Sequence, residues 1–148
     1  MRTRTLVAAV ATAGAVAVGI ATPASAAPRD GHCDPTGTYG NGFGEACFFW
    51  LTNQTGSMAD FSAENPANPD LFVKDPTLAD DVFITAGGGK GQRVDNNAES
   101  VCNLDAYPLV MFQGTNYTGW SLRLGGRLCF NDLGGWKNTI SSYHWTIG

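Results

Sequence analysis

An all-β fold is expected for this chain, on three observations. No window after residue 26 sustains the apolar period near 3.6 that marks an amphipathic helix. Several short segments instead alternate apolar and polar residues, or run apolar for four or five positions between turn residues. The chain also holds 19 glycines and seven prolines in 148 residues, which suits short strands joined by tight turns.

The first 26 residues are set apart as a signal peptide. Arg2 and Arg4 form a basic start, Leu6 to Ile20 is an apolar run, and Ala24-Ser25-Ala26 has the small-residue pattern that precedes cleavage. The run of 15 residues is too short to span a bilayer. What remains, residues 27–148, is the length of one domain. Loss of the two leader arginines takes the formal charge from −4 to −6, which argues against nucleic acid and anionic membrane as partners. A secreted, extracellular monomer is expected.

All four cysteines follow the leader, and an even count in an exported chain reads as two disulfides with three possible pairings. Nearest-neighbour pairing, Cys33 with Cys47 and Cys102 with Cys129, closes two separate loops and is the expected one. Zinc is the weaker reading, because there is no Cys-x-x-Cys pair and the only histidines are His32 and His144.

The strands are expected as follows. Cys47-Phe48-Phe49-Trp50-Leu51 is an apolar run suited to a deeply buried strand, as is Pro108 to Phe112. Asp81 to Ala86 is a further expected strand. Trp120 to Leu124 and Tyr143 to Ile147 alternate cleanly, as half-buried strands do. Between the first two runs lies a proline-rich, acidic stretch with Pro66, Pro69 and Pro76, closed by Gly87-Gly88-Gly89. Proline bars regular ladders there, so residues of about 62–90 are expected to form a surface insertion carrying one short element at Leu71-Phe72-Val73.

An internal repeat organises the rest. Phe49-x4-Gln54-x-Gly56 corresponds to Phe112-x4-Tyr117-x-Gly119, and Asn97-x-x-Ser100 to Asn138-x-x-Ser141. At these residues the chain resembles the βγ-crystallin superfamily, whose Greek-key motif has an aromatic, a second aromatic and a glycine at this spacing, with a later serine over the hairpin. The resemblance implies a sandwich of two Greek-key motifs, the first enlarged by the proline-rich insertion. It also implies positive φ at Gly56 and Gly119, with Ser100 and Ser141 satisfying hairpin backbone groups. Export, the disulfide framework and the pattern Asn-Asn-x-x-Ser-Val, Asn-Tyr-x-Gly and Asn-x-Ile-Ser-Ser make the chain similar to secreted bacterial peptidase inhibitors. The family in question is typified by the Streptomyces metalloproteinase inhibitor, and the similarity runs from about residue 47 to 145.

Function is weighed on the same residues. No Gly-x-Ser-x-Gly or His-Glu-x-x-His is present, and the acidic residues cluster in the insertion, so no catalytic set assembles and a non-enzyme is expected. The resemblance implies inhibition of an extracellular peptidase, a metallopeptidase by family analogy. Contact segments are expected beside Cys102, at Val101 and Asn103-Leu104, or on the insertion at Leu71, Phe72 and Val73, because rigid apolar segments suit a specificity pocket. The alternative is a calcium-binding or carbohydrate and surface interaction module. Crystallin-type calcium loops would use Asn96, Asn97, Ser100, Asn138 and Ser141, whose oxygens are hard ligands. Lys137 stands where an oxygen donor is wanted, so at most weak calcium, and no other cofactor, is expected. For carbohydrate, Trp50, Trp120, Trp136 and Trp145 would have to line up on the surface.

Overall fold

The computed structural model describes residues 29–36, 43–63 and 74–147. These hold eight strands: β1 (Glu45–Leu51), β2 (Thr55–Ser62), β3 (Lys74–Asp75), β4 (Ser100–Asn103), β5 (Leu109–Phe112), β6 (Ser121–Leu124), β7 (Leu128–Phe130) and β8 (Ser142–Trp145). Two single turns of 3-10 helix, Thr115–Tyr117 and Gly134–Trp136, are the only helical pieces among the described residues. All named strand pairs are antiparallel, and they form two sheets ordered β2-β1-β4-β7 and β3-β8-β5-β6.

The two orders are the same order. Advancing β2-β1-β4-β7 by half of the eight strands, cyclically, turns it into β6-β5-β8-β3, the second sheet read backwards. Each half of the chain thus keeps three strands in its own sheet and lends one, β3 or β7, to the other. This is the two-motif Greek-key sandwich expected from the repeat.

Strand character follows from what each face meets. In β1, Ala46 and Phe48 point into the core between the sheets, while Cys47 and Phe49 join a second cluster with Met58 and Cys102, against which Cys33 and Leu104 pack. Both faces are covered, and the sequence there is accordingly a continuous apolar run. In β6, Leu124 is buried and Leu122 half-buried while Ser121 and Arg123 are exposed, matching the alternation. The central core stacks Phe48, Phe61, Tyr143 and Trp145 mainly edge to face, with centroids 5.2–5.6 Å apart.

One expected strand does not form. Asp81 to Ala86 contributes only an isolated bridge, Val82 to Arg93. Ile84 and Thr85 both turn their N–H groups to the carbonyl of Met58, which ends any regular ladder. The run is apolar for another reason: Phe83 is fully buried and meets Trp50 edge-on at 5.6 Å. Gly89, at φ +89°, lies so close against the Trp50 ring that no side chain fits there. Leu71, Phe72 and Val73 lie outside the described residues.

Candidate functional site

The two hairpins carry the repeat into three dimensions. Gly56 and Gly119 have φ of +77° and +80°, as expected. The left-handed stretch is longer than glycine alone explains: Asn53 and Gln54 have φ of +56° and +54°, Asn116 and Tyr117 have +54° and +61°. Asparagine tolerates this region, but glutamine and tyrosine rarely enter it. Each hairpin is held by one serine. Ser100 Oγ donates to the Leu51 carbonyl at 2.6 Å and accepts from Gln54 N–H at 3.1 Å. Ser142 Oγ donates to the Gly114 carbonyl at 2.6 Å and accepts from Tyr117 N–H at 3.1 Å.

The second serine is therefore Ser142 rather than Ser141. The repeat aligns Asn96 with Asn138, both at φ +56°, and Ser100 with Ser142. Asn96 N–H bonds the Ile140 carbonyl at 3.0 Å, and Asn138 N–H bonds the Ala98 carbonyl at 2.9 Å. Each loop thus gives its asparagine N–H to the carbonyl two residues beyond the other loop's asparagine. Asn97 turns its amide to the Arg93 and Asp95 carbonyls, within its own loop.

Under this alignment Glu99 corresponds to Ser141 and Asp95 to Lys137. Ser141 Oγ reaches only Asn96 Oδ1, at 3.4 Å. The Lys137 ammonium stands 3.1 Å from Asp132 Oδ1 and 4.0 Å from Glu99 Oε2. Asp132 is held below its ordinary pKa, first by its hydrogen bond from Gly134 N–H and then by Lys137. The ammonium thus stands beside the paired loops, where an oxygen donor is wanted, between Asp132 and Glu99.

Both expected disulfides are present, with Cα separations of 6.0 Å for Cys33–Cys47 and 4.1 Å for Cys102–Cys129. The second joins directly opposed residues of β4 and β7. Beside it, Val101 and Asn103 are fully buried: Val101 in the core, Asn103 accepting from Trp145 Nε1 and donating to the Tyr107 and Gly125 carbonyls. What the bridge exposes is its other end. β7 is the terminal strand of its sheet, with Leu128 57% exposed and Cys129 also open to solvent. Sequence reasoning missed this segment because a three-residue strand carries almost no periodicity.

Of the four tryptophans, Trp120 alone is exposed, at 79%. Trp145 is buried, while Trp50 and Trp136 pack partly buried against the core, so no surface row exists for stacking on sugars. His144 packs against the Phe112 and Tyr117 rings, which also meet each other, and its Nδ1 lies 3.0 Å from the Trp145 carbonyl, so it is placed as a packing residue. His32 is exposed near Asp30. A further acidic group, Asp75, Asp80 and Asp81, lies under the Arg29 guanidinium, which pairs with Asp81. Burial pushes the Asp75 carboxyl up to about 6, and neighbouring Asp80 adds to the shift.

The sequence model of peptidase inhibitor family I36 matches residues 43–124, more than half of the chain. No curated protein matches the sequence significantly. Among solved structures, a chain from work on the evolution of the eye lens beta-gamma-crystallin domain fold is 14% identical, with a TM-score of 0.53, covering 70% of this chain and 86% of that one. A betagamma-crystallin from an archaeon is 15% identical at a TM-score of 0.47, covering 69% of this chain and 96% of its own. The N-terminal domain of Protein S is 18% identical at 0.45, covering 69% and 94% respectively. The first of these supports the sandwich fold.

Proposed function

Because the chain belongs to peptidase inhibitor family I36, we propose that it is a secreted inhibitor of an extracellular peptidase, and that the target is a metallopeptidase. The family match is the observation that carries the reading. The metallopeptidase class rests on the resemblance to the family typified by the Streptomyces metalloproteinase inhibitor, and secretion on the leader pattern and the two disulfides.

The contact surface we assign is the β7 edge, Leu128 to Phe130. An unpaired sheet edge offers backbone groups to which an extended cleft can add, and an apolar side chain beside it gives a specificity pocket something to hold. The Cys102–Cys129 bridge anchors this edge to β4, so little ordering cost remains at binding. The buried side chains of Val101 and Asn103 then support the contact from behind. The Lys137 ammonium stands beside the paired loops, 4.0 Å from Glu99, so calcium at Asn96, Asn97, Ser100, Asn138 and Ser141 is weak or lacking in this reading.

The test is titration of the purified, disulfide-intact protein against a panel of secreted metallo- and serine peptidases. Stoichiometric inhibition of a metallopeptidase with a dissociation constant at or below about a micromolar is expected. Inactivity across the panel at that concentration overturns the reading, and inhibition confined to serine peptidases overturns the metallopeptidase assignment.

A further inference from the structure

A different part of the molecule holds three carboxylates that neither the hairpins nor the β7 edge uses. Asp30, Glu45 and Asp60 each bring one carboxylate oxygen to within 4.8 Å of the other two. Glu45 and Asp60 are fully buried, on β1 and β2, while Asp30 lies at the surface in the segment that crosses over them. Two backbone groups of that segment fix the carboxylates: Asp30 N–H bonds Asp60 Oδ2 at 3.0 Å, and Asp34 N–H bonds Glu45 Oε2 at 2.9 Å. The remaining oxygen of Asp60, Oδ1, is buried and has no hydrogen-bond partner. Asp60 also has no ion-pair partner among the described residues.

A buried carboxylate oxygen without a donor is costly, and two further carboxylates beside it raise the cost. The second acidic group, Asp75, Asp80 and Asp81, meets the same difficulty with the Arg29 guanidinium. Arg29 acts on Asp60 only through space, without a direct ion pair, so at Asp60 a guest cation would do the work that direct pairing does at Asp81. Oxygen ligands about 2.4 Å from one ion are at most about 4.8 Å apart, a condition these three oxygens meet. Three anionic oxygens, one of them reachable from solvent, suit a hard divalent ion with flexible geometry.

We propose that Asp30, Glu45 and Asp60 form a calcium site that fastens the segment around Cys33 onto β1 and β2. The site is separate from the Asn96 and Asn138 loops and independent of the inhibitor reading. It works beside the Cys33–Cys47 bridge, giving the segment ionic as well as covalent attachment.

The test uses the full disulfide-intact protein, stripped with chelator and titrated with calcium chloride alone by calorimetry and thermal melting. Binding in the range of about 10⁻⁵ to 10⁻³ M is expected, with a rise in Tm that chelator reverses. Asp30→Asn, at the surface and safe for folding, should weaken binding at least about tenfold; Asp60→Asn should do the same. Ser141→Ala should leave the affinity unchanged. Manganese added to isotope-labelled protein should broaden the amide signals of residues near 30, 45 and 60 first. No calcium response, a response that survives Asp30→Asn, or broadening centred on Asn96 and Asn138 overturns the proposal.

Discussion

Ser100 and Ser142 each close a hairpin with a single hydroxyl that donates once and accepts once, at nearly equal distances in the two copies. Ser142→Ala strands a backbone N–H and a carbonyl together, so a loss of about 1–3 kcal/mol in urea denaturation is expected. Ser141→Ala removes only a 3.4 Å contact and should cost a few tenths, about 0.5 kcal/mol at most. Equal losses from the two would sink the Ser142 assignment. At Gly119 the nearest atom to an added Cβ is 3.4 Å away, so the space is adequate and the backbone alone decides. Gly119→Val is expected to cost about 1–3 kcal/mol through strain at positive φ, and Gly119→Asn distinctly less. Asp75 gives a pH signature. Its carboxyl titrates at 3.8 ordinarily and near 6 in the fold, where burial dominates, Asp80 adds, and the Thr77 N–H and Arg29 oppose. The folded state therefore holds the extra proton between those values: the stability from this group is full below about pH 4 and is lost as pH rises through 6. Asp75→Asn should flatten that fall and stabilise by about 1 kcal/mol above pH 6, solvent screening limiting the gain. Midpoints that run parallel with pH in the two proteins would refute the attribution.

At the scale of elements, the prediction concerns the β7 edge. Leu128→Asp should abolish inhibition while moving the unfolding midpoint by no more than about 0.5 kcal/mol, since the side chain is more than half exposed. Trp120→Ala, just before β6 of the other sheet, should leave inhibition intact; the reverse result moves the contact to the second hairpin. Elements differ in how plainly the sequence announces them. β5, β6 and β8 follow from alternation or an apolar run, because each has one face on the core. β2, Thr55 to Ser62, mixes small and polar residues with Met58 and Phe61, and its Ser57 and Asp60 are buried on partners far along the chain. No local pattern reveals such a strand, since tertiary hydrogen bonds satisfy its polar atoms. Likewise Asp81 to Ala86 has strand composition but anchors a loop through Phe83. In the paired loops, Asn96-Asn97 and Ser141-Ser142 are both doublets, so two registers fit the spacing. Only the left-handed backbone at Asn96 and Asn138 selects one of them. The glycine positions were legible because the residue type is itself the backbone requirement.

For the whole molecule, the sandwich is a pair of interlocked halves, each lending a strand to the other's sheet, so it should unfold as one unit. Coincident urea transitions by tryptophan fluorescence and far-ultraviolet dichroism are expected; separated transitions would mean that the halves melt independently. The row of cysteines across the first sheet has a different consequence, one that concerns how the chain arrives at this state. Cys47 lies opposite Cys102, and Cys102 lies opposite Cys129, on three successive strands. Once the strands align in the reduced chain, Cys102 therefore has a cysteine directly opposite on either side, and register alone leaves both pairings open. The choice falls to Cys33: by capturing Cys47 it leaves Cys129 as the partner of Cys102. Oxidative refolding of Cys33→Ala is accordingly expected to accumulate a Cys47–Cys102 species with a free thiol at Cys129, detectable by mapping peptides without reduction. The segment that carries Cys33 would then act during biogenesis as an editor of thiol pairing, steering an ambiguous oxidation step toward one isomer.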